Sequence, residues 1–304
     1  MSHNVVITGA NGFMGQYVSE AFPQAKKIVR EGSDDQDYIS VGNITDKTDW
    51  TPFLKNGDVI IHLAGIAHKE NISDEEYFVV NTQATIKLAR DAIKMGVKRF
   101  IFMSSVIVLG KNGAIDNGFT EDAQYRAYNA YSESKKQAEI ALLALAESHQ
   151  IEIVIIRCPL VYGKGVKGNF LLLQKLSKKL PLLPFGMIHN ARDFIYIKNL
   201  IHFIKMCVES PKAKNEIFHV SDNHAVSTKY LTNCIAESSK HKLLQLPVPF
   251  FLFNLVGKIL KQEHRISQLV GDFRINIDKS NKLLGWKPPY TFEEGIKETF
   301  GEHK

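Results

Sequence analysis

The chain has 304 residues, 44% of them apolar and 23% charged, values that exclude an intrinsically disordered polypeptide. Its 20 glycines and 10 prolines follow no period, which excludes a collagen-like or linker-dominated sequence. The net charge of +6 is spread along the chain with no basic tract to follow a phosphate backbone. That balance suits a small anionic ligand and argues against a nucleic-acid partner.

The three cysteines, Cys158, Cys207 and Cys234, are odd in number and lack Cys-x-x-Cys or Cys/His ligand spacing. They read as reduced thiols of a cytoplasmic protein, and no metal site is expected. The N-terminus has no basic region ahead of its apolar run, so no secretory signal is expected. The 15 uncharged residues between Lys242 and Lys258 fall short of the about 20 that a spanning helix needs, and they include Pro247 and Pro249. No transmembrane segment is expected, and a buried or partner-facing helix from about Pro249 to Leu260 is the better reading.

In chain order, short apolar runs alternate with helix-spaced segments. The runs are Val5–Ile7, Lys27–Val29, Val59–Leu63, Arg99–Met103 and Ile153–Ile156. Nearly continuous apolar runs mark strands buried on both faces of a parallel sheet. Helical spacing covers Phe13–Phe22, Glu75–Met95 and Tyr131–His149. The alternation predicts an α/β fold, a doubly wound parallel sheet. After Arg157 the loops lengthen and prolines appear. One more helix–strand unit, Ile195–Val208 and then Glu216–Val220, is expected to return to the sheet. The rest reads as helices with one short strand near Arg274–Ile277. The expected division is a dinucleotide-binding domain of 1–157 plus about 191–221. A smaller, mostly helical substrate-binding cap would take about 158–190 plus 222–304.

The first strand runs into Thr8-Gly9-Ala10-Asn11-Gly12-Phe13-Met14-Gly15. Gly9 permits a tight turn, Gly12 lets the backbone approach a pyrophosphate, and Gly15 lets the helix pack closely on the sheet. The N–H groups that open the helix then face the phosphates. A dinucleotide site follows from that context of strand, turn and helix. At the end of the second strand an acid would bond the free ribose hydroxyl of NAD, whereas a base would accept the phosphate of NADP. Arg30 stands there with Glu31 beside it, so NADP(H) is favoured and NAD(H) is the alternative.

Tyr131 and Lys135 are four residues apart and share one helix face, about 5–6 Å apart at Cβ. A nearby ammonium stabilises a phenolate and lowers its pKa, which suits an acid/base in alcohol–ketone conversion. Tyr125 and Tyr128 have Asn129 and Ser132 at that spacing and do not compete. Ser104-Ser105 ends the preceding strand, at the edge where ligands bind in parallel sheets.

TGANGFMG, SSVIVLG, YSESK and RCPLVYG, in this order, resemble the extended short-chain dehydrogenase/reductase superfamily, and more narrowly its branch of nucleotide-sugar epimerases and reductases. The resemblance covers essentially the whole chain. It implies a Rossmann fold and a catalytic trio of Ser105, Tyr131 and Lys135. It adds Asn81, the loop Leu63-Ala64-Gly65 and Pro159 to a cofactor site that holds Gly9, Asn11, Gly12, Phe13, Met14, Gly15, Arg30, Tyr131 and Lys135. Asn43, with Ile44, stands where an aspartate usually contacts adenine. Asn169-Phe170, Phe185-Gly186 and Arg192-Asp193-Phe194 resemble segments that hold the nucleotide, with Arg192 on the diphosphate. Leu109 replaces a frequent tyrosine. Val106-Ile107 replaces the Asp-Glu pair of the 4,6-dehydratases and cannot transfer protons, which argues against water elimination.

The resemblance is nearest to reductases of UDP-4-keto-6-deoxy-N-acetylhexosamines, carried by VKGNF, GMIHNARDF and VSDNHAVST. It implies reduction of a UDP-sugar ketone at carbon 4, to UDP-N-acetylquinovosamine or UDP-N-acetylfucosamine for surface polysaccharide. The alternative is a 4-epimerase of UDP-hexose or UDP-N-acetylhexosamine with retained NAD. The retained Tyr/Lys pair argues against a non-catalytic regulator. A homodimer is expected from apolar or small residues such as Ala138, Ala141, Leu142 and Leu145, beyond one buried helix face.

Overall fold

The computed structural model describes residues 4–31, 37–67, 72–113, 116–259 and 261–301. In the first half lie β1 (Val5–Thr8), α1 (Phe13–Ala21), β2 (Lys26–Val29), β3 (Tyr38–Ser40) and β4 (Val59–His62). Then follow α2 (Asp74–Tyr77), a π-helical turn (Phe78–Gln83), α3 (Ala84–Lys94), β5 (Arg99–Ser105), α4 (Ala130–Ser148) and β6 (Glu152–Cys158). The second half holds β7 (Leu160–Tyr162), α5 (Asn169–Lys179), β8 (Leu182–Leu183), β9 (Phe194–Tyr196), α6 (Ile197–Glu209) and β10 (Glu216–His219). It ends with α7 (Thr228–Ser238), β11 (Leu244–Gln245), α8 (Phe250–Ile259), α9 (Glu263–Val270), α10 (Asp278–Leu284) and α11 (Phe292–Phe300).

Seven parallel strands form the main sheet in the order β10-β6-β5-β4-β1-β2-β3. Alternate strand residues enter opposite layers, which explains their unbroken apolar runs. Ile7, Ile61, Ile101 and Ile156 pack with Val18 of α1 and with Leu200 and Phe203 of α6. Val6, Ile60, Phe100 and Ile155 pack instead with Leu88 of α3 and Leu142 of α4. The order in which successive strands are added reverses between β1 and β4, so their C-terminal ends open a crevice. Arg99 ties the layers together at the far edge: its guanidinium donates to the carbonyls of Val208 (3.2 Å) and Ser210 (2.9 Å) at the end of α6.

The expected strands and helices of the first half are present, with two differences. β3 is an additional three-residue edge strand, too short and too polar in setting to stand out by periodicity. The helix expected over 75–95 is broken by the π turn, which carries Asn81. In the second half, Ile195 and Tyr196 belong to β9, paired with β7, and the helix begins at Ile197. No strand forms over 274–277. Phe273 and Ile275 instead make single bridges to Gly113, Phe119 and Arg192.

The segment after Pro249 is helical as expected and is largely exposed, so of the two expected settings the buried one is not found. α8 buries only Phe253 and Gly257. No described helix is long and apolar enough to cross a membrane.

Candidate active site

The glycine turn is fixed by close backbone approach. Gly9 has φ of +73°, and a Cβ there would lie 2.7 Å from the Ala64 nitrogen, so the loops after β1 and β4 touch. A Cβ on Gly15 would lie 2.1 Å from the Gly9 carbonyl oxygen, so only glycine lets α1 start this close to β1. The Gly9 N–H donates to the Ile28 carbonyl (2.9 Å), which sets the turn against the end of β2. Gly12 is the N-cap of α1 and supplies no side-chain cap, leaving N–H groups of the first turn open to an anion. Asn11 and Gly12 are exposed, while Phe13 and Met14 are half-buried beside them.

Arg30 follows β2 and is exposed. Its guanidinium lies 3.3 Å from the Glu31 carboxylate. A carboxylate therefore accompanies the cation at the position expected to face the adenine ribose. Asn43 is exposed on the loop after β3, and Ile44 is buried in the same apolar cluster as Val6 and Ile28.

The next loop is braced from below. Asn81 accepts from the Ile66 N–H (2.8 Å) and donates to the Ile66 carbonyl (2.9 Å) and the Ser134 hydroxyl (3.1 Å). It thus joins the loop holding Leu63, Ala64 and Gly65 to α4. A Cβ on Gly65 would lie 3.0 Å from the Asn81 oxygen and 3.4 Å from Lys135 Nζ. His62, buried at the end of β4, hydrogen-bonds Thr8 (2.6 Å) and Thr85 (3.0 Å). Burial and the neighbouring Lys135 push its pKa down to about 3, so it is a neutral crosslink between β1, β4 and α3.

The catalytic candidates converge on the C-terminal end of β5. Asn129 caps α4 reciprocally with Ser132, fixing the turn that presents Tyr131. The Tyr131 phenol hydrogen-bonds the Ser105 side chain. Lys135 Nζ donates to the Met103 carbonyl (3.0 Å) and lies 4.6 Å from the centre of the Phe102 ring. Burial pushes the Lys135 pKa down to about 8, although Cys158 and Glu139 pull it upward. The expected depression of the tyrosine pKa is not present in the chain alone. Burial raises the Tyr131 pKa, and the hydrogen bond from Ser105 offsets only part of that rise. The residues after Ser105 turn inward: Val106 is buried and packs with Leu109, Phe273 and Ile275. Pro159 is buried directly after Cys158, which pairs in register with Ser105.

Beneath the trio lies a polar network absent from the sequence reading. Glu139, one turn beyond Lys135, is fully buried and meets the Arg157 guanidinium at 2.7 Å. It also accepts hydrogen bonds from Ser104 and from Tyr125 (2.8 Å). Acid and base are 18 residues apart on different elements, so no local spacing announces the pair.

The candidates of the second half are more dispersed. Arg192 is half-buried, donates to the Gly271 carbonyl (3.1 Å), and lies 5.8 Å from the Phe273 ring centre. Burial lowers its pKa to about 10, against the pull of Tyr128 and Asp272. It is a core-edge cation, not a surface one. Tyr128 lies within electrostatic reach of both Arg192 and Tyr131, and the Tyr77 ring lies 6.0 Å from that of Tyr131. Both aromatics were absent from the expected site, although the repeated tyrosines before Tyr131 were a signal. The Phe170 ring is buried against Tyr162 and Phe300, and Phe185 stacks on Phe253 at 5.9 Å. Their backbones, not their rings, are left for a ligand. The side chain of Asn169 lies outside the described residues. Among the described residues, no three His, Cys, Asp or Glu side chains group to hold a metal.

A wound parallel sheet with a glycine-rich first turn and a Ser/Tyr/Lys cluster at its carboxyl edge defines a dinucleotide-dependent oxidoreductase site. Residues 5–221 match the NAD dependent epimerase/dehydratase family, to which the chain belongs. It is an NAD(P)-dependent enzyme of the nucleotide-sugar epimerase branch. The chain is 38% identical to a UDP-glucose 4-epimerase of Vibrio cholerae, over 98% of this chain and 95% of that one. Its fold superposes on a UDP-glucose 4-epimerase of Thermotoga maritima with TM-score 0.78, at 19% identity, covering 98% and 97% of the two chains. A UDP-glucuronic acid 4-epimerase of Bacillus cereus, solved with NAD, gives TM-score 0.77 at 19% identity, covering 98% and 95%.

Proposed function

We propose that this enzyme interconverts alcohol and ketone at carbon 4 of a UDP-activated hexose, working as a 4-epimerase with bound NAD. The observation that carries the reading is the convergence of Ser105, Tyr131 and buried Lys135 at the end of β5, beside the Gly9–Gly15 turn. The glycines let the turn pack backbone against backbone, and the open α1 terminus that this turn presents suits a pyrophosphate, so the residues fit a dinucleotide. When bound, the nicotinamide supplies the hydride acceptor and donor. Tyr131 takes the carbon-4 hydroxyl proton in one direction and returns it in the other. Ser105 holds the same oxygen, and the Lys135 ammonium orients the nicotinamide ribose and favours the phenolate. Arg192 would meet the diphosphate of the substrate. Apolar Val106 and Ile107 supply no second acid or base, which supports redox at carbon 4 over water elimination.

NAD rather than NADP is supported by the Glu31 carboxylate beside Arg30 and by the NAD in the Bacillus cereus relative. A second reading, NADPH-dependent reduction of a UDP-4-keto-6-deoxy-N-acetylhexosamine, rests on Arg30 itself, an exposed cation at the ribose position. Two incubations separate them. Conversion of a UDP-hexose or UDP-N-acetylhexosamine to its carbon-4 epimer without added cofactor, read by NMR, is expected for the epimerase. Oxidation of NADPH by the 4-keto sugar, with no epimerisation, would replace that reading with the reductase. The three unpaired cysteines support a cytoplasmic setting, where nucleotide sugars are made.

A further inference from the structure

α8 has ten residues, and all but Phe253 and Gly257 are exposed. Phe250, Phe251, Leu252, Leu255, Val256 and Ile259 stand at 36–70% exposure. A helix apolar on nearly every side belongs in an apolar environment, and a patch of this kind marks an interaction site. The patch continues beyond the helix. β8 pairs with β11, which adds exposed Leu182 and Leu244, and the Phe185–Phe253 ring stack ties both strands to α8.

Charge identifies what covers this surface. Its parts come from 182–185 and 244–259, which contain no aspartate or glutamate. Four exposed lysines, 240, 242, 258 and 261, flank β11 and α8 in the chain, against one exposed acid, Glu263, which opens α9 beside Gly257. Lys258 and Lys261 are exposed at the C-terminal end of the apolar helix. An apolar helix flanked by more lysines than acids is complementary to acyl chains beneath anionic headgroups. At about 1.5 Å per residue α8 is roughly 15 Å long, about half of a hydrocarbon core, so it can lie in the interface but not span.

We propose that the α8 face docks the enzyme reversibly on an anionic lipid bilayer. The docking face is attached to the segment carrying Phe185, so the cap of the active site would sit at the lipid surface. The inference is independent of which sugar reaction the enzyme performs.

The test is co-sedimentation of the full-length protein with vesicles of phosphatidylcholine alone or mixed with phosphatidylglycerol. Binding to the anionic vesicles, weakened by salt, is expected. Lys258→Glu with Lys261→Glu should weaken it about tenfold or more. Phe251→Asp with Leu255→Asp should abolish it. Both pairs are exposed and lie outside the catalytic machinery, so the thermal midpoint and turnover on soluble nucleotide sugar should persist. Failure to bind anionic vesicles at low salt overturns the proposal. A change of mass in light scattering caused by Phe251→Asp with Leu255→Asp, with no change in vesicle binding, overturns it in favour of self-association.

Discussion

Lys135 is an ammonium held in a poorly solvated place, and its displaced pKa links activity to stability. Its folded pKa of about 8 lies below the ordinary 10.5. Between those values the unfolded chain binds the proton and the native chain does not, so stability rises with pH across that window. Below it, the buried charge costs up to about 3 kcal/mol. Lys135→Met should therefore leave the thermal midpoint unchanged or higher while turnover falls by about a hundredfold or more. A large drop in the midpoint would show that the Met103 hydrogen bond outweighs the charge. In the wild type, kcat/KM should decline above about pH 8 as the ammonium is lost. Tyr131→Phe keeps the ring and removes the proton, so turnover should fall about 10²–10⁴-fold with nucleotide-sugar binding nearly unchanged. Ser105→Ala should cost less, because a hydrogen bond to the reacting oxygen is lost but no proton donor is. Near wild-type turnover in Tyr131→Phe would make the tyrosine structural. Tyr131 and Lys135 were legible in the sequence because helix geometry alone relates them. The pKa values were not, because burial is set by β5, β6 and the π turn.

Two elements meet under the site through one buried ion pair. Glu139 on α4 and Arg157 on β6 are almost inaccessible, and Ser104 and Tyr125 complete the carboxylate's shell. Removing one partner leaves an uncompensated buried charge. Glu139→Ala should destabilise the fold by about 3–5 kcal/mol, measured by urea unfolding. A loss under 1 kcal/mol would mean that water replaces the carboxylate at Arg157. The glycine turn behaves in the opposite way: its demand is local and visible in sequence. Gly15→Ala would drive a methyl into the Gly9 carbonyl, so cofactor affinity should fall sharply in a titration followed by fluorescence.

At the scale of the molecule, the expected homodimer needs a free helix face. Ala138 and Leu142 are consumed by the protein's own core against the sheet, so they no longer support the expectation. Ile140 on the outer side of α4 is 47% exposed and keeps it open. A dimer by light scattering at micromolar concentration, reduced to monomer by Ile140→Asp, is the expected outcome. A wild-type monomer would remove it. The assembled fold also leaves the α8 face exposed, which excludes the buried setting that hydropathy alone allowed and keeps the partner-facing one.

The sequence determined the parallel sheet, the nucleotide turn and the Tyr/Lys pair. Each rests on a short-range rule: period of apolar runs, glycine spacing, or helix registry. Only the tertiary structure decided the rest. Glu139 met Arg157, His62 became a neutral crosslink, and Asn81 was placed to brace a loop 15 residues away. The same holds for the rings of Phe170 and Phe185, which turned into the core, and for the apolar faces of α8, which did not. Burial is a property of neighbours brought from distant parts of the chain, and a composition window carries no record of which side of a helix they will cover.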